Sequence, residues 1–139
     1  MNKQQPPTQF GVFKPTGHTL MAFRSHTELR RASQALADVG FGLNAMTEYS
    51  AEEMRLQASG ELDGAGLMAS FGYELDLLRL HKELAEQGCS FLIVDAPKPQ
   101  QADMVTDVIR TIKPVAAQHY GRFLIEDLTE IAPGQGALA

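Results

Sequence analysis

Two stretches of this chain share one layout: an apolar strand, a helix with a marked start and stop, then a second strand. The first stretch opens on His18–Phe23 and the second on Cys89–Ala96. Leu20, Met21 and Ala22 hold the places that Leu92, Ile93 and Val94 hold in the other. A strand, a helix and a returning strand must pack the helix on the sheet that the strands build, which leaves few topologies open. Two β-α-β segments of this size are the parts of a ferredoxin-like α+β sandwich. The expectation is therefore a four-stranded antiparallel sheet with helices on one face.

Local signals place the elements. Ser25 and Glu28 form an S-x-x-E capping box. The helix they open carries Leu29, Ala32, Leu36 and Val39 on one side, and Gly40 is a natural stop. Phe41 to Tyr49 alternates as a second strand would. In the second segment Pro97 and Pro99 end the strand and start a helix striped by Met104, Val105, Val108, Ile109 and Ile112. Pro114 forbids its continuation. Val115 to His119 reads as a strand, and Arg122 to Leu128 as an edge strand or a terminal turn.

The connector between the segments, about 50–88, reads as a helical insertion. Ser50 and Glu53 form a second capping box, for a short helix ending near Ser59. Gly60 to Gly66 reads as a break, and a longer helix runs from Leu67 to Gln87. Phe71, Leu75 and Leu78 lie along one line of that helix, and Leu77, Leu80 and Leu84 along another. A helix with two apolar lines touches two things, here the sheet and a second subunit. A homodimer is thus expected. Residues 1–16 read as a flexible leader, with Phe10, Val12 and Phe13 able to dock as an arm. Residues 17–128 read as a single domain and 129–139 as a flexible tail.

Composition narrows the function classes. The 139 residues carry 12 Lys and Arg against 17 Asp and Glu, a formal charge of −5. Seven of those carboxylates fall in the 29 residues from Glu48 to Asp76, with Arg55 as the single cation of that stretch. A domain that grips a nucleic acid backbone needs a basic face, so no nucleic acid partner is expected. Arg24, Arg30 and Arg31 form the one basic cluster and read as a solvated helix face. No unbroken apolar run is longer than Phe91 to Val94, far short of the roughly 18–20 residues that cross a bilayer, so no membrane partner is expected. One cysteine, Cys89, allows no disulfide within the chain and no multi-cysteine metal site. Together with the lack of an apolar leader run, this points to the cytoplasm. No phosphate-binding glycine loop or nucleophile elbow is present, and no metal or cofactor is expected.

Four residues stand out as candidate ligand contacts: His81, Tyr73, Asp76 and Asp95. His81 lies on the long helix, with Tyr73 and Asp76 one to two turns earlier. In dimeric α+β barrels a helix histidine over a helix–sheet cavity can act as a base or ligate haem iron. Asp95 closes a strand, where loops build sites. His18 and His26 with Glu28 lack metal-ligand spacing. Cys89 follows the negative end of a helix, which keeps a thiol unreactive.

The layout resembles the general-stress, heat-induced stress (YflT-like) proteins and related small bacterial domains. The resemblance is carried by FRSHTELRRASQALADVGF, the Gly- and Ala-rich GELDGAGLMASFGYEL, LLRLHKELAEQG, CSFLIVDAP and VTDVIRTIKPVAAQHYGRFLIEDL, over about residues 18–128. It implies a stress-associated protein without a catalytic motif. The expected function is a non-enzymatic stress-associated or regulatory protein acting as a homodimer. The alternative is a small-molecule or haem-binding protein or enzyme that uses His81.

Overall fold

Thr19 to Phe23 is an unbroken buried run with no polar alternation. A strand of that kind has both faces covered, so it belongs at the centre of a sheet with layers above and below. The computed structural model, which describes residues 1, 3, 8–9, 12–13, 15–65, 73–121 and 125–129, has that architecture.

The elements in chain order are β1 (Thr8–Gln9), β2 (Val12–Phe13), β3 (His18–Phe23), α1 (His26–Asp38), a 3-10 turn at Leu43–Ala45, β4 (Met46–Tyr49), α2 (Ala51–Ala65), α3 (Tyr73–Glu86), β5 (Ser90–Asp95), α4 (Pro99–Ile112), β6 (Ala116–Tyr120) and β7 (Ile125–Asp127). Strands β1 and β2 form a separate two-stranded antiparallel ribbon, and β2 lies against α2 and α3. The main sheet has five strands in the order β4-β5-β3-β6-β7, every neighbouring pair antiparallel. The protein is therefore α+β. Each β-α-β segment leaves a gap between its own strands, and a strand of the other segment fills it.

Alternate residues divide the core into two layers. On one face Met21, Phe23, Leu92, Val94 and Ala117 meet α1 through Leu29, Ala32 and Leu36, and α4 through Val105, Val108 and Ile109. On the other, Leu20, Ala22, Phe91, Ile93, Ala116 and Tyr120 meet Met54 of α2 and Leu77, Leu78 and Ala85 of α3. This corrects the expectation of helices on one face. That holds for α1 and α4 alone, because the apolar connector helices are long enough to roof the second face.

The connector differs from expectation in two further ways. Gly60 does not break α2, which continues to Ala65. The second apolar line of α3 is covered within the chain. Leu80 and Leu84 pack against the same cluster as Leu77 and Leu78, and α2 runs along α3. Residues 66–72, including Phe71 of the expected 67–87 helix, and the side chain of Leu75 lie outside the described residues.

Caps act where the sequence placed them. Ser25 Oγ accepts from the Glu28 N–H at 3.2 Å. Ser50 Oγ accepts from the Glu53 N–H at 3.1 Å, and Glu53 Oε1 accepts from the Ser50 N–H at 2.9 Å. Helix α4 starts at Pro99, and the Lys98 N–H is satisfied by Gln101 Oε1 at 3.0 Å. Gly40 and Gly88 leave their helices at φ +109° and +91°. At the chain start, Lys3 Nζ pairs with Glu53 at 3.0 Å and stands 4.8 Å from the centre of the Tyr49 ring. Gly17 ties the end of the sheet: its N–H donates to Tyr120 O at 2.6 Å, and its carbonyl accepts from the Ala96 N–H at 2.9 Å. The expected 129–139 tail lies, beyond Thr129, outside the described residues.

Candidate functional site

Helical spacing puts Leu77, Leu78, His81 and Ala85 on the face of α3 that meets the sheet, so His81 enters the core with its apolar neighbours. It is 1% exposed. Its Nε2 lies 3.1 Å from Oε1 of Gln118, itself 1% exposed on β6. Phe91 meets the imidazole edge-on, with ring centroids 6.1 Å apart at 74°. Burial lowers the histidine's pKa to about 4, and the Gln118 hydrogen bond offsets only part of that. The ring is therefore neutral at pH 7, and its Nε2–H donates to the amide oxygen.

The other expected contacts do not join it among the described residues. Asp76 is exposed and pairs with Arg79, Oδ1 to Nη1 3.5 Å. Asp95 is exposed at the end of β5, its Oδ1 3.8 Å from His18 Nε2. Tyr73 begins α3, and its side chain lies outside the described residues.

A different histidine has the setting of a working group. His119 lies on β6, its Nδ1 2.8 Å from Oγ1 of the fully buried Thr19 on the paired strand β3. A ring nitrogen held by a buried partner fixes which way the imidazole faces. Here one flank of α4 and the strands β6 and β7 enclose a pocket of about 220 Å³. His119 and Glu126, direct cross-strand partners, share it with Asp103, Thr106 and Arg110 of α4. Burial lowers the His119 pKa, Glu126 opposes that, and the nearby His18 adds to it. Thr106 spends its hydroxyl on its own helix, donating to Ala102 O at 3.0 Å. Arg110 makes a long ion pair to Asp107, 3.7 Å, and stays about half exposed. The pocket thus presents an imidazole, a guanidinium and two carboxylates to a small polar guest. Its members come from three successive elements, α4, β6 and β7, and the stretch just after them, all between Ala102 and Leu128. The one local signal was the spacing of Asp103, Thr106 and Arg110 along one side of a helix.

A second pocket, about 360 Å³, lies where Arg24, Leu84, Gln87 and Val115 surround Cys89. Burial raises the thiol pKa against the pull of Arg24, so the cysteine is a buried, protonated side chain. His26 Nε2 and Arg30 Nη1 both reach Glu48, at 3.2 and 3.4 Å, on the exposed face of α1. Among the described residues no three His, Cys, Asp or Glu side chains converge to hold a metal. No described helix is long and apolar enough to cross a membrane.

Fold and pocket together define an α+β protein with a five-stranded antiparallel sheet roofed on both faces and a polar cleft beside α4. The chain matches no family model, no curated protein and no solved structure.

Proposed function

We propose that this chain is a ferredoxin-like, non-enzymatic stress-associated or regulatory protein that binds a small polar ligand beside α4 and acts as a homodimer. The order β4-β5-β3-β6 supports the ferredoxin-like reading, because it interleaves two split β-α-β units, with β7 added at one edge. The observation that carries the ligand reading is the 2.8 Å bond between Thr19 Oγ1 and His119 Nδ1, which orients an imidazole at a charged pocket. The hydroxyl in that pocket is committed to its own helix, so the site is equipped to bind and not to attack. Arg110 suits an anionic end and the pair Asp103 and Glu126 a cationic one, so the ligand class is a small zwitterion.

Amide shifts in NMR spectra, recorded while free α-amino acids are titrated to millimolar concentration, test this. Saturable shifts at Thr106, His119 and Glu126 are expected for at least one of them, lost in His119→Leu. Flat titrations at those amides throughout would remove the ligand reading.

The haem alternative is disfavoured by the same geometry. His81 Nε2 already donates to Gln118, and its ring is closed in by Phe91. Haemin titration is expected to give no Soret shift that depends on His81.

A further inference from the structure

We propose that the open cleft between α1 and α4 is the seat of a second copy of this chain, in a two-fold pairing that sets α1 against α1. This rests on the homodimer reading and names its surface. The cleft, about 340 Å³, is walled by Ala35, Val39, Met104, Val108 and Ile112 and rimmed by Asp38 and Asp107. Val39 is 44% exposed, and Leu43, four residues on, is 84% exposed. They are two of the three large apolar side chains left exposed among the described residues. Exposed apolar surface at Val39, on the wall of an apolar cleft, is the pattern of an interface core.

The charges say what covers it. Arg31, Ala35 and Asp38 follow one another at i, i+4 and i+7, so they share one stripe of α1. Arg31 is exposed, and so is Asp38, whose Oδ1 accepts from Gln34 Nε2 at 2.8 Å. Arg31 and Asp38 stand about 10 Å apart along the axis at 1.5 Å per residue. A two-fold axis crossing α1 near Ala35 lays the helix antiparallel on its copy. Arg31 of each protomer then faces Asp38 of the other, and each Val39, on the wall of its own cleft, comes under the partner's helix. This self-complementarity is what an isologous interface requires, and an unrelated partner would have no need of it.

The full chain, followed by light scattering after size exclusion over a micromolar dilution series, tests the pairing. The unaltered protein is expected to be dimeric. Val39→Asp and Arg31→Glu should each weaken the dimer by about tenfold or more. The double variant Arg31→Glu with Asp38→Arg, which restores the opposite charges in reverse, should regain most of the affinity. These side chains lie outside the core, and unchanged circular dichroism confirms that each variant folds. A dimer that ignores both single substitutions, or a charge reversal without recovery, overturns the α1–α4 surface and leaves the homodimer reading intact. A monomer at every concentration overturns both.

Discussion

His81 Nε2 and Gln118 Oε1 stand 3.1 Å apart in the layer between α3 and the sheet, and neither side chain is more than 1% exposed. The pair satisfies two polar groups that burial would otherwise strand, and it ties the connector to β6 across 37 residues of sequence.

That pairing sets the pH response. The folded-state pKa of His81 is about 4, below its ordinary 6.5, so the unfolded chain binds the proton more readily. Stability is complete above about pH 6.5 and is lost as pH falls toward 4. A shift of that size corresponds to as much as about 3 kcal/mol. The lowered pKa of His119 acts in the same direction. Urea unfolding at pH 7, 5.5 and 4.5 should show this decline, and His81→Gln should flatten it.

Replacing Gln118 with Leu leaves the imidazole N–H without an acceptor in a dry layer. The expected cost is about 1–3 kcal/mol, read as a lower urea midpoint with an unchanged slope.

Cys89 is expected to react sluggishly. It is 4% exposed, and burial holds its thiol protonated. Ellman's reagent should modify the native protein at least about tenfold more slowly than the urea-unfolded chain, because access waits on opening.

Two glycines should respond in opposite senses to alanine. Gly60 is an exposed interior residue of α2 with open space around its Cα, so Gly60→Ala should stabilise by about 0.5–1 kcal/mol. Gly88 also has open space but sits at φ +91°, so Gly88→Ala should destabilise by about 1–2 kcal/mol through backbone strain alone. Thermal midpoints of the two variants should fall on either side of the parent's.

Much of the secondary structure was legible because its signals are local. The caps at Ser25 and Ser50 and the stop at Gly40 each involve a few neighbouring residues, and the structure uses all three. The segment at Phe41–Tyr49 shows where alternation misleads. Only Met46–Tyr49 is strand, the Leu43–Ala45 stretch is a 3-10 turn, and Leu43 points into solvent. Gly60 was a break by propensity, yet packing along α3 carries the helix through it, since tertiary contact outweighs one unfavourable residue. His81 was conspicuous for its place on an amphipathic helix, and its burial was implied by the same stripe. Its partner was not, because Gln118 reaches it through sheet register. His119 was passed over for the same reason: Thr19 lies 100 residues away in sequence.

The roof formed by α2 and α3 decides how far this chain can be trimmed. A version reduced to the two β-α-β segments would keep Leu20, Ala22, Phe91 and Ile93 but put water against all of them. A sheet wet on that side would need polar residues at those places, and this one has none to offer. The connector therefore cannot be cut out as an ornament: any shortened form must bring a replacement ceiling or recruit one from another molecule, and would otherwise aggregate through the bared strands.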